Sequence, residues 1–483
     1  MIPQNIKQHK PKNTEIKHKN NHYYVHKVTA YYDKTTKKPK RKYLGCIGQI
    51  YPNIGFIPNK KQTPQEHTTK EYGATQLILT TTKDLLQTLH QHFPTDAIRI
   101  YTLAALKLLD NLPIKNIETA YTKSALSTIL PQVHLSKNTL TTFLTHLSTQ
   151  RNNMINFMKQ YAQCNKGGII FDGSSFINGA RTNPFTQKGY TPGRKGKTQI
   201  RLMYAFSRKS QTPIYFLVAP GSISDKTAFS QALEEIDSKD STIILDKGFF
   251  SKTNIELMKG LGFIIAIMKN TTLVPSELKA FCAYEKFLTN VFCYHKRLIY
   301  FTEVIQSEYE NCRLLVFYDF ERRQYLMENY FRKLEAKYGS SIPDELVGQV
   351  ACDTAGFGVS ILLTSLLGPA SGVYLDYKAR WEIEAMFNRH KNTLGFDMSY
   401  EVSYSAMEGW AFVEFLALLM YHKINGLLCE TGLIRSYNVK DILYRTATVT
   451  QSKSSGSWQV CNLTEPLKDL FGDLKVTIEP ISQ

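Results

Sequence analysis

The chain has 483 residues, 43% of them hydrophobic and 12% aromatic, so it can bury cores for about three domain-sized units and is not a disordered polymer. Its formal net charge of +18 favours a polyanionic partner, either nucleic acid or an anionic membrane surface. The membrane alternative is weak: the longest uncharged stretch, residues 354–375, is interrupted by Gly356, Gly358, Gly368, Pro369 and Gly372, and reads as a buried strand and a turn.

Residues 1–21 are polar and lysine-rich, without the apolar core of a secretory signal. Two strand-like runs follow, Tyr23–Tyr32 and Tyr43–Ile50, around a turn rich in lysine. Residues 1–100 carry 17 Lys and Arg against 6 Asp and Glu. Residues 1–70 are therefore read as a basic hairpin and linker, whose tip either touches phosphates or is simply solvated.

Residues 71–164 read as a helical DNA-binding region. Thr82-Lys83-Asp84 begins one helix, with Leu85, Leu86, Leu89 and Phe93 on its apolar side. Further helices are expected over 97–112 and 114–130, and Ser136 is placed to cap another that carries Leu140, Phe143, Leu144 and Leu147. Short capped helices suit a helix-turn-helix reader, and a plain bundle fits the same pattern.

From residue 165 the pattern turns to strands. Apolar runs at Ile169–Asp172, Ile200–Phe206 and Ile214–Ala219 precede a helix at Asp225–Ile236, a strand at Thr242–Asp246, a helix at Lys252–Leu261 and a strand at Phe263–Met268. The order implies an α/β core with a mixed sheet over 165–268. Residues 269–370 form a strand-rich insertion with one lysine-rich helix near Arg322–Tyr338. Residues 371–430 return to the core, and 431–483 make a C-terminal region that is a candidate for dimerisation. The eight cysteines are scattered without a CxxC pair, which argues against a zinc site or a disulfide framework and fits a reducing cytoplasm.

Two acids stand out. Residues 151–210 hold 11 Lys and Arg and one acid, Asp172, which ends an apolar run. Asp246 ends another. Carboxylates at strand ends line the crevice of an open sheet, where they repel unless a cation lies between them; oxygen-only ligation suits Mg²⁺ or Mn²⁺. In the segment 373–391, Tyr377, Arg380, Glu384 and Lys391 fall within about 60° of arc on one helix face.

The spacing Tyr-x2-Arg-x3-Glu-x6-Lys at Tyr377, Arg380, Glu384 and Lys391 resembles the YREK motif of DDE transposases of insertion sequence family four. Leu245-Asp246-Lys247-Gly248-Phe249-Phe250-Ser251 and Ile170-Phe171-Asp172-Gly173-Ser174 resemble that family's two aspartate motifs, and the likeness covers about residues 165–430. It implies a ribonuclease H-like fold, with Asp172, Asp246 and Glu384 as both catalytic residues and ligands of two divalent ions, Mg²⁺ or Mn²⁺. It further implies that Tyr377, Arg380, Lys391 and Lys247 grip phosphates, that the partners are element ends and target DNA, and that a homodimer forms on the DNA. Arg194, Lys195 and Lys197 add a basic loop; its Gly196-Lys197-Thr198 ending resembles a nucleotide-binding loop, but Thr191 stands where that loop needs glycine. In the family the insertion supplies a stacking tryptophan. Trp381, Trp410 and Trp458 all lie outside it here, which leaves Tyr284, Phe287, Phe292 or Tyr294 for that task. Two other functions remain open on the sequence: a nuclease of the same fold that never joins strands, and a non-enzymatic DNA-binding protein.

Overall fold

In the computed structural model of the chain, the described residues are 2–33, 37–59, 68–110, 113–163, 167–180, 183–189, 197–236, 238, 240–268, 290–305, 309, 311–339, 343–381, 383–385, 398–399, 403–454 and 457–480. They form two compact units, residues 1–68 with 453–457, and residues 69–452 with 458–483.

The first unit is an antiparallel sheet in the order β1 (Thr14–Lys19), β2 (His22–Asp33), β3 (Lys38–Tyr51), β4 (Gly55–Pro58), with a short helix α1 (Gln4–Lys7). Asn20 and Asn21 both take positive φ at the tight turn between β1 and β2, as a twisted two-residue hairpin requires. Ile6, Ile16, Val25 and Ile50 form its small core.

After the short strand β5 (Thr68–Glu71), the helices α2 (Gly73–Thr81), α3 (Lys83–His92), α4 (Ala97–Asp110), α5 (Ile117–Lys123), α6 (Leu126–Ile129), α7 (Lys137–Thr149) and α8 (Arg151–Gln163) open the second unit. The expected helix over 114–130 is thus broken: a 3-10 turn and α5 precede Ser124, whose extended backbone separates α5 from α6. Ser136 does precede α7, but its hydroxyl meets Thr139 Oγ1 at 2.8 Å rather than capping a backbone N–H.

The main sheet then builds outward from β6 (Gly168–Asn178). On one side, β8 (Thr198–Ser207) and β9 (Thr212–Pro220) add antiparallel, and the two-residue β7 (Gln187–Lys188) pairs with β8. On the other, β10 (Thr242–Leu245) and β11 (Gly262–Ala266) run parallel to it. The order β9-β8-β6-β10-β11 with these directions is that of a ribonuclease H-like core. Helices α9 (Asp225–Glu235) and α10 (Lys252–Leu257) make the crossovers that lead into the two parallel strands.

The strands of the expected insertion do not stand apart. β12 (Asn290–Tyr294), β13 (Arg297–Ile305), β14 (Arg313–Asp319) and β15 (Val359–Thr364) continue the same sheet, because β15 pairs antiparallel with β11. Between β14 and β15 lie α11 (Phe320–Tyr338) and α12 (Val347–Thr354). Helix α13 (Ala370–Lys378) follows, and β16 (Met398–Ser399) joins the far end of β6.

The longest helix, α14 (Tyr404–Glu430), has the length and mean hydropathy, 1.3, of a membrane span, yet every residue from Ala406 to His422 is buried inside the unit. A helix apolar all round is a core helix, and this one receives α4, α7 and β9. Phe412 packs against Phe93, Phe157 and Phe216. Its two buried acids have cationic partners: Glu414 meets Lys107 at 3.0 Å and Glu408 meets Arg151 at 3.6 Å. Because α4 and α7 spend their apolar faces on α14, residues 71–164 depend on the rest of the unit for their core.

Two glycines of α14 should respond oppositely to alanine. A Cβ at Gly409 would collide with the Leu144 carbonyl oxygen of α7, whereas Gly426 has open space around it. Gly409→Ala is expected to destabilise by about 1–3 kcal/mol. Gly426→Ala should stabilise by up to about 1 kcal/mol, through helix propensity. Denaturation midpoints of the two variants check this; equal shifts would mean that α7 and α14 are not in close contact at Gly409.

Candidate active site at the centre of the sheet

Strand register brings the first two acids together. Phe171 of β6 lies opposite Leu245 of the parallel strand β10, so the next residues, Asp172 and Asp246, stand side by side. Asp246 follows the last residue of β10 and opens a 3-10 turn over Lys247–Phe249. Asp172, expected at a strand end, instead lies within β6. The chain stays extended past it because Ser174–Ile177 keep pairing with β8, while Phe176 and Asn178 are buried. Beneath the acids, Phe171, Phe229 and Phe249 stack edge to face, fixing α9 and the 3-10 turn to the sheet.

The third acid arrives on a broken helix. A continuous helix over 373–391 is not what forms: α13 ends at Lys378, Ala379 and Arg380 make a turn, and helical backbone resumes at Trp381. The break aims Arg380 into the crevice. Its Nη1 lies 3.0 Å from Glu384, 3.8 Å from Asp172 and 3.9 Å from Asp246. Tyr377 donates its hydroxyl to Asp246 Oδ1 at 3.2 Å. All three acids therefore share one guanidinium. Among the described residues no group of three His, Cys, Asp or Glu is gathered tightly enough to cage a metal; the acids gather around Arg380 instead.

Burial pushes the Asp172 carboxyl up to about 7, opposed by Arg380 and by the Gly173 N–H and reinforced by Asp246 and Asp225. Burial likewise lifts the Tyr377 hydroxyl to about 12, with Asp246 adding to it. Arg380 is pulled the other way by burial, but Asp246, Tyr377, Asp172 and Glu384 outweigh that and hold it charged. Beside it, burial together with Arg322 brings the Lys378 ammonium down to about 8.

Sequence reasoning missed one pair next to these residues. Asp225, at the first turn of α9, is paired with Arg201 of β8, and a Cβ at Gly173 would collide with its carboxylate. Asp225 at a helix start reads as an ordinary helix-end acid; the glycine directly after Asp172 was the one signal that something approaches the strand there.

Of the remaining expected phosphate-binding residues, Lys247 and Lys197 are among those described. Lys247 is exposed directly after Asp246. Lys197 is exposed but distant: Asp172 pairs with Tyr204, seven residues further along β8, roughly 23 Å at strand rise. Arg194, Lys195 and Lys391 lie outside the described residues, as do Tyr284 and Phe287. Phe292 and Tyr294 are occupied in an aromatic cluster with Tyr374. Trp410 and Trp458 are buried, whereas Trp381 is 56% exposed. It lines a groove with Arg208, Lys209, Tyr294 and Lys378, beside the helix break.

No curated protein matches the chain. Among solved structures, a cryo-EM structure of the piggyBac transposase synaptic complex with hairpin DNA is similar at a TM-score of 0.43 and 10% identity, over 78% of this chain and 80% of that one. Residues 164–420 match the family model of the transposase DDE domain. That match spans more than half of the chain and contains Asp172, Asp246 and Glu384, so the protein belongs to the transposase DDE domain family.

Proposed function

We propose that this chain cuts the ends of a mobile DNA element and joins them to target DNA, as a transposase of insertion sequence family four. Asp172, Asp246 and Glu384 are its metal ligands. One observation carries the reading: three carboxylates from β6, β10 and the broken helix converge within 4 Å of a single cationic nitrogen, Arg380 Nη1. The same oxygens suit two hard divalent cations, Mg²⁺ or Mn²⁺. When bound, such ions supply an activated water or 3′-hydroxyl and stabilise the leaving oxygen.

The chain's own groups do the rest. With the acids engaged elsewhere, the Arg380 guanidinium is free to turn to the scissile phosphate, and Tyr377 offers a hydroxyl donor next to it. Lys247 contributes charge from the turn after Asp246, and Lys391 completes the set on the continuing segment. Arg208, Lys209 and Lys378 line a groove suited to the DNA backbone leading into the site. Arg194, Lys195 and Lys197 also contact the duplex. Helices of residues 71–164 add DNA contacts, residues 431–483 help pair two protomers on the DNA, and the protein works on the nucleoid of a bacterial cytoplasm.

Asp172→Ala, Asp246→Ala and Glu384→Ala should each abolish Mg²⁺- or Mn²⁺-dependent nicking and strand transfer. DNA binding should persist, since affinity comes from Lys and Arg on phosphates. Full cleavage by any one variant overturns the ligand assignment. Nicking without strand transfer by the wild-type protein reduces it to a nuclease.

Arg380→Ala should lower single-turnover cleavage on the order of 10²-fold, because a fixed cation acts most on charge developing in the transition state. Tyr377→Phe should be milder, losing one hydroxyl and keeping the ring. If Arg380→Ala weakens binding in a gel-shift titration and leaves single-turnover cleavage untouched, Arg380 serves docking alone.

A further inference from the structure

The charge of this protein is concentrated in its smaller unit. Residues 1–68 hold 14 Lys and Arg against 3 Asp and Glu, a net +11 out of the chain's +18. Within that unit the lysines are arranged. β1 pairs with residues 22–27 of β2, and β4 with residues 48–51 of β3. Beyond those, residues 28–33 and 38–43 continue as a two-stranded ribbon about 20 Å long. No residue of 28–33 or 38–46 is buried. Two irregularities in β3, where Leu44 and Ile47 have no direct partner in β2, separate the ribbon from the packed base. Bulges of this kind increase twist and re-aim a strand, and Gly45 between them takes φ +127°.

Cross-strand partners share a face. Lys38, Lys40 and Lys42 lie opposite Asp33, Tyr31 and Thr29, so three lysines stand in a row on one face, about 7 Å apart. Lys40 reaches Asp33 at 2.5 Å, the one acid on that face, and Tyr31 is 49% exposed among them. The other face is used within the unit: Arg41 approaches Glu15 at 3.6 Å and Lys17 sits 4.0 Å over the Tyr43 ring. One face is thus tied to β1, and the other presents unburied cations, a phenol and a threonine hydroxyl.

We infer that the β2–β3 ribbon is a duplex-DNA docking element that enters the major groove with its lysine face toward the DNA. A two-stranded ribbon fits that groove, lysines spaced along it reach phosphates, and Tyr31 and Thr29 can meet base edges. On this face three lysines surround the Tyr31 ring, and a face dominated by cations suits a polyanion better than an apolar protein or bilayer surface. The inference rests on the reading of the chain as a DNA-acting enzyme and adds a contact surface separate from its acids.

The test uses the full-length protein without divalent metal and a fluorescein-labelled duplex of random sequence, titrated by anisotropy over a KCl series. A Lys38→Gln/Lys40→Gln/Lys42→Gln variant should bind more weakly, and its slope of log K against log salt should be shallower by close to three, at about 0.9 per lost phosphate contact. A control with Lys259→Gln/Lys333→Gln/Lys337→Gln, all exposed and outside both the ribbon and residues 71–164, should keep the wild-type slope. Methylating guanine N7 in the duplex should hinder the wild type and not the ribbon variant. An unchanged slope in the ribbon variant, or an equal loss in the control set, overturns the ribbon assignment. Equal effects on a single-stranded oligonucleotide overturn the groove. A wild-type protein that binds no duplex at all sinks the DNA reading itself.

Discussion

Carboxylates crowded at the centre of a sheet repel one another, and the site can exist only if a cation holds them. In this structure that cation is Arg380. Its guanidinium faces Asp172, Asp246 and Glu384 at once, and Tyr377 supports Asp246 from the side. The arrangement rests on two local facts. One is the parallel register of β6 and β10, which sets the aspartates next to each other. The other is the turn at Ala379 and Arg380, which swings the arginine off the path a straight helix would give it.

Such a site needs a stiff base, and the core provides it. Phe171, Phe229 and Phe249 clamp sheet, helix and 3-10 turn together directly under the acids. Behind the sheet, α14 is buried from Ala406 to His422 and gathers α4, α7 and β9 around it. Its Glu408 and Glu414 each have a cationic partner, so the helix carries two charges through the core without leaving either uncompensated. The strands β12 to β15 extend the same sheet past β11, giving the glutamate-bearing segment a continuous platform.

Charge is divided unevenly between the two units, with residues 1–68 carrying +11 of the chain's +18. The small unit carries most of the net charge on a sheet too small to need it for folding, with a core of four aliphatic residues and a ribbon whose lysine face stays open. Exposed lysines also keep such a ribbon from pairing edge to edge with another copy.

The sequence by itself determined which segments form strands, because apolar runs such as Ile169–Phe171 and Thr242–Leu245 can only be buried. It also singled out the acids, because Asp172 and Asp246 follow those runs, Asp172 as the one acid of a basic stretch. The hairpin around the lysine-rich turn was legible from alternation and turn chemistry. What tertiary structure decided lies in long-range pairing, which no local pattern encodes. Periodicity treats residues 373–391 as one helix, and it cannot register the turn that aims Arg380 at three acids contributed by distant segments. It cannot say that β15 pairs with β11, which folds an expected insertion into the main sheet. Nor can it foresee Arg201 and Asp225 meeting beside Gly173, or a helix at 404–430 becoming the core of the unit. Those outcomes depend on which surfaces meet, and burial and charge pairing between remote residues settle that only once the chain has folded.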